Sequence, residues 1–118
     1  MRISKKYQKV VYNNILPFGN FIAITLCGII FVKSKYENEF DDVSHNHEMI
    51  HVTQEKELGV IRFWQLYLGE WIKNLFTIGF NYQAYYYISF EQEAYKNEDN
   101  LDYLKTREKN EWRKYRKQ

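Results

Sequence analysis

The chain has 118 residues and a mass of 14.5 kDa, room for one domain and no second core, which excludes large multidomain enzymes. Apolar residues make up 45% and aromatic residues 19%, so the chain has ample core material and lacks the composition of a disordered protein. The net charge of +2 is too small to argue for nucleic-acid binding, and the single cysteine, Cys27, excludes an intramolecular disulfide and a thiolate zinc site.

Arg2, Lys5, Lys6 and Lys9 precede an apolar stretch over residues 15–32, an order that imitates a signal peptide or membrane anchor. Pro17, Gly19, Asn20 and Gly28 interrupt it, no small-residue cleavage site follows, and its 18 residues sit at the lower limit for a spanning helix. A buried β-hairpin is therefore expected, with strands over 21–27 and 29–32 hinged at Gly28, and a membrane segment through 15–32 is the alternative. The acidic run 37–42 predicts a loop. Ser44 or Asp42 is expected to cap a helix from about His45 to Leu58, stopped by Gly59.

Apolar residues at 60, 64, 67, 68, 71, 72, 75 and 76 predict a second helix with a narrow polar stripe, packed on more than one side, with Trp64 and Trp71 in the core. A third helix is expected from about Ala84 to Lys96 and a fourth, capped by Asp99 or Asn100, running into the tail. From Lys105 to Gln118 there are seven basic residues against two acidic ones, a tail of +5 that predicts a solvated helix end.

The sequence His47-Glu48-Met49-Ile50-His51 is a complete HExxH. On a helix, residues 47 and 51 lie one turn apart on one face, so both imidazoles can hold one zinc ion, with Glu48 beside the open position as proton acceptor for a metal-activated water. With 3 His and 11 Glu in the chain, roughly 0.005 accidental matches are expected, so the motif stands well above chance. A catalytic site of this kind takes a third protein ligand. No histidine follows His51, and in the segment 89–95 either Glu91 or Glu93 can serve, since the two project to opposite sides of a helix. Glu91 shares its stripe with Ala84, Ile88 and Ala94 and is expected to turn inward. Glu93 shares its stripe with Ser89, Lys96 and Asn97 and is expected in solvent. His45 is the weaker ligand candidate, since it points away from His47 on a helix.

HExxH followed some 40 residues later by a helical glutamate resembles the gluzincin zinc metallopeptidases, and the chain length, upstream strands and Glu91-x-x-Ala94 are similar to the minigluzincins. The resemblance implies Zn2+ on His47, His51 and Glu91, Glu48 as general base and then acid, and a peptide or unfolded protein as substrate. It also implies an edge strand that aligns the substrate, for which residues 29–32 are the choice, and an oxyanion donor among Tyr82, Tyr85, Tyr86, Tyr87 and Tyr95. Tyr95 stands where related proteases have an aspartate that steadies a zinc-bound histidine. The expectation is an α+β, mostly helical, cytoplasmic zinc metallopeptidase. Its alternatives are a catalytically silent zinc-stabilised peptide-binding module and a small membrane-anchored protein.

Overall fold

A computed structural model describes residues 1–116. Its fold is α+β, a four-stranded mixed sheet packed against five helices. The strands are β1 (Arg2–Ile3), β2 (Val10–Asn13), β3 (Ala23–Leu26) and β4 (Ile29–Lys33), in the order β1-β2-β4-β3. β3 and β4 form the expected hairpin, closed by Cys27 and Gly28 at φ of 53° and 77°. Two consecutive residues with positive φ make a turn whose twist matches that of the strands. β4 also pairs in parallel with β2, Val10 opposite Ile30 and Tyr12 opposite Val32. β4 is thus interior, and the expected edge over 29–32 is corrected: β3 is the edge strand. The basic N-terminal segment supplies the pairing partner that displaces β4 from the edge. Residues 15–32 form a loop and this hairpin, and among the described residues no helix is long and apolar enough to cross a membrane.

Inward-facing Val10, Tyr12, Ile30 and Val32 alternate along β2 and β4 and meet Phe40 and Val52 in one core. Val52 belongs to α1 (Asp42–Leu58), which carries the HExxH. Its cap is Asp41, one residue before the expected Asp42; the Asp41 carboxylate accepts from the Ser44 N–H, an interaction that also lowers the pKa of Asp41. Gly59 ends α1 at a φ of 85°, where a side chain would strain the backbone. α1 buries polar side chains: Asn46, His47, Glu48, His51, Gln54 and Glu55 are all shielded from water. Such a face is a conspicuous exception to the rule that helices bury apolar residues.

α2 (Val60–Thr77) turns Phe63 and Tyr67 into a second core with Ile88, Phe90 and Trp112. Contrary to expectation it packs on one side: Ile61, Leu68, Ile72 and Phe76 are exposed, and Trp64 and Trp71 are half-buried. The expected third helix is two, α3 (Tyr82–Tyr86) and α4 (Ser89–Asn97), broken by the extended Ile88. The break has a chemical cause. The Glu70 carboxylate of α2 accepts both the Ser89 N–H, at 2.8 Å, and its hydroxyl, at 2.6 Å, and so starts a new helix with a negative charge at its positive end.

The expected fourth helix is reduced to α5 (Tyr103–Thr106) and a 3-10 turn at Glu111–Tyr115. The tail is also not a solvated helix end, since Trp112 is buried against Phe90, with ring centroids 4.5 Å apart. Residues 117 and 118 of the tail lie outside the described residues.

Candidate metal centre

α1 and α4 bring His47, His51 and Glu91 together in the interior, with one ligand atom from each within 4.8 Å of the others. His47 Nε2 lies 3.0 Å from Glu91 Oε1, His51 Nε2 lies 3.1 Å from Oε2, and the two ring nitrogens are 3.2 Å apart. Metal–nitrogen bonds of about 2.0–2.1 Å in a tetrahedral shell separate neighbouring ligand atoms by about 3.3 Å. The three donors are therefore already spaced to share one small cation.

The opposite edges of both rings fix where the protons sit. Gln54 Nε2 donates to Phe90 O at 3.1 Å and to Glu93 Oε1 at 2.9 Å, so Gln54 Oε1 must accept, and it lies 2.8 Å from His51 Nδ1. His51 thus carries its hydrogen on Nδ1 and leaves the Nε2 lone pair facing inward. His47 Nδ1 donates in the same way to Glu98 Oε1 at 2.8 Å. Two lone pairs and a carboxylate converging in a buried space require a cation. The residues fit a metal, and without one a proton fills the need. Burial disfavours charge on His47, yet hydrogen bonds to Glu91 and Glu98 outweigh it and its pKa is raised to about 10. Burial likewise works against a charged His51, and the Glu91 carboxylate overrides it and raises its pKa. Glu91 itself is held well below the usual carboxylate range, because His51 and His47 overcome the penalty of its burial.

Outer contacts lock this geometry. Tyr67 donates to Glu91 Oε2 at 2.6 Å; burial first, and then the Glu91 charge, raises its pKa well above the ordinary value. The Tyr95 hydroxyl is hydrogen-bonded to Tyr85 and Tyr82 rather than to His47. Its ring packs against His47 at 4.4 Å, and Glu98, a turn further along, accepts from the histidine instead. Asn46 ties α1 to the end of α4 through the carbonyls of Glu98, at 2.8 Å, and Asn100, at 3.0 Å.

Glu48 stands beside the group. Its Oε1 accepts from the Thr25 hydroxyl of β3 at 2.9 Å, and it shares with His51 and Glu91 the wall of a cavity of about 290 Å³. The rest of that wall is largely apolar, including Phe21, Phe63, Trp64 and Trp71, and one side is β3 itself through Ala23, Ile24 and Thr25. Of the five tyrosines expected as oxyanion donors only Tyr85 lines the cavity, as does Tyr67, which sequence reasoning passed over. Tyr85 shares a hydrogen bond of 3.1 Å with Tyr95, which in turn accepts from Tyr82 at 3.3 Å.

Two expectations about neighbouring residues resolve differently. His45 is outside the centre and contacts Gln8 O at 2.9 Å, holding the loop before β2. Glu93 is not solvated. It is 0% exposed and accepts from Gln54, from Tyr103 at 2.7 Å and from Arg107, which also forms a two-pronged pair with Glu57. The stripe neighbours of Glu93 suggest water, and Lys96 is indeed exposed, but the tail folds back over Glu93 itself through Tyr103 and Arg107. Glu98, Gln54, Tyr67 and Thr25 are the functional candidates that the sequence did not single out. One local signal was present: Gln54 lies at i+3 from His51 and shares its helix face.

Comparison with protein-family models, with curated proteins and with solved structures returns no match.

Proposed function

We propose that the chain is a zinc-dependent peptide hydrolase, with His47, His51 and Glu91 as ligands and Glu48 as general base and then general acid. The observation that carries this reading is the separation of roles among four buried polar residues. Three converge as metal donors, while Glu48 is left out of the group and faces a cavity walled by an edge strand. A purely structural metal site is closed by four protein ligands, whereas three ligands leave a position for water.

When bound, zinc supplies a polarised carbonyl and a water acidic enough to be deprotonated near neutral pH. Glu48 takes that proton and later returns it to the leaving amine; Thr25 holds one of its oxygens and fixes the direction of the other. The unpaired edge of β3 offers main-chain donors and acceptors to an extended peptide, and the aromatic cavity wall accepts an apolar side chain beside the scissile bond. Tyr67 and Glu98 orient the ligands through their hydrogen bonds to Glu91 and His47.

The test is hydrolysis of a fluorescently labelled unfolded casein by zinc-loaded protein. Glu48→Gln keeps size and ligands but removes the proton acceptor, so activity falls by at least about 100-fold while zinc content is unchanged. Absence of turnover in the wild type, with zinc bound, favours a peptide-binding module; equal turnover in both proteins refutes the role of Glu48.

A further inference from the structure

The outer face of α2 has no partner. At 100° per residue, Ile61, Leu68, Ile72 and Phe76 fall within an arc of about 80°, and they are 76%, 43%, 54% and 77% exposed. Phe80 extends this ridge, its ring 5.5 Å from that of Phe76, and is 74% exposed. Half-buried Trp64 and Trp71 flank one side of the stripe and lead into the mouth of the cavity, where Phe18 and Phe21 continue the apolar surface. Contiguous exposed apolar surface of this kind marks an interaction site.

The charges beside it decide what the partner is. On the other flank of α2 lie Arg62 and Lys73, and the only carboxylate of the helix, Glu70, is occupied by Ser89. Arg62 also lines one hollow with Arg113, Arg116 and Trp112. Of the carboxylates beside the tail, Glu57 and Glu93 are engaged by Arg107 and Glu111 by Lys114, while Glu108 is exposed and acts on Lys114. Among the described residues no carboxylate pairs with Arg62, Lys73, Arg113 or Arg116, so unpaired cations border the stripe.

From this juxtaposition we infer that α2 docks on an anionic lipid surface, with Ile61, Leu68, Ile72 and Phe76 entering the interface and Arg62, Arg113 and Arg116 meeting headgroup phosphates. A helix with an apolar face, flanking tryptophans and basic residues is built to lie in the plane of a bilayer boundary. A second copy of the chain fits worse. An antiparallel twofold pairing along this stripe sets Arg62 and Lys73 against the same cations, with no free carboxylate on α2 to answer them, and a parallel one leaves them opposite Trp64 and Trp71, again without a carboxylate. The inference is independent of the metal centre.

Co-sedimentation of the full chain with vesicles tests it, comparing pure phosphatidylcholine with phosphatidylcholine containing one-third phosphatidylglycerol. Wild type binds the anionic vesicles at least about tenfold more tightly than the neutral ones. Ile72→Ser with Phe76→Ser weakens that binding about tenfold, and Arg62→Gln with Arg113→Gln and Arg116→Gln weakens it at least as much. Every substituted side chain is exposed, so circular dichroism and melting of both variants match wild type. Failure of wild type to bind, binding unchanged in both variants, or a dimer by light scattering that the Ile72 and Phe76 substitutions dissolve, each overturns the inference.

Discussion

Arg107→Ala is expected to be among the most damaging single substitutions outside the metal centre, although Arg107 lies in a tail that the sequence presents as solvated. Its side chain is 2% exposed, and its guanidinium spans two carboxylates, Glu93, fully buried, and Glu57, whose side chain is 13% exposed. Burial disfavours the charge on Arg107, but the two carboxylates overcome that and raise its pKa. Truncation strands the Glu93 carboxylate with only Tyr103 and Gln54 as donors. Breaking a buried pair in this way costs about 3–5 kcal/mol, against a total of about 5–15 kcal/mol for a domain. A typical urea slope converts this to a midpoint lower by about 2 M, read by circular dichroism. Replacing both Arg107 and its fully buried partner, Arg107→Met with Glu93→Gln, leaves only the Glu57 charge, which is partly exposed and still accepts from the Asn110 N–H, and so recovers most of the loss. A cost below about 1 kcal/mol for Arg107→Ala, the worth of a surface pair, would show that the Arg107–Glu93 pair is not shielded from water.

Gln54→Leu removes the acceptor that fixes the His51 tautomer and is expected to weaken zinc binding about 10–100-fold in a chelator competition; unchanged affinity contradicts the orientation derived for Gln54. Glu91→Ala weakens zinc binding by more than tenfold with the fold retained, whereas Glu93→Ala chiefly lowers the urea midpoint, and the reverse order shows the third ligand to be misassigned. In the metal-free chain the His47 pKa rises from 6.5 unfolded to about 10 folded, so its stabilisation is fully present below pH 6.5 and lost as pH rises through 10. Melting temperature of chelator-treated protein should accordingly fall between pH 6.5 and 10, and a rise over that range contradicts the assignment.

The parts of the site that are legible in sequence are those fixed by local geometry. HExxH needs only helical spacing to place His47 and His51 side by side, and Gly59 and the hairpin at Gly28 obey short-range rules, whereas the cap of α1 falls on Asp41, one residue before the expected Asp42. Glu91 is legible from the character of its stripe, though the helix assumed for that argument is broken at Ile88 by Glu70, a residue on another element. Glu98 reaches His47 across 51 residues and Tyr67 reaches Glu91 across 24, contacts that no local pattern encodes. β2 is hidden in a similar way, since Val10–Asn13 is only four residues long and follows a lysine-rich segment, and without it residues 29–32 read as an edge. Glu93 and the tail were misjudged together: each looks polar alone, and burial becomes favourable only when Arg107 pairs with Glu93 and Glu57.

Whether the buried donor group holds a metal is decided by metal content, read by mass spectrometry after zinc loading and dialysis without chelator, on wild type and on His47→Ala with His51→Ala. About one zinc per wild-type chain is expected, and next to none in the double variant. A wild type without bound metal, or a double variant that retains as much as wild type, contradicts that expectation.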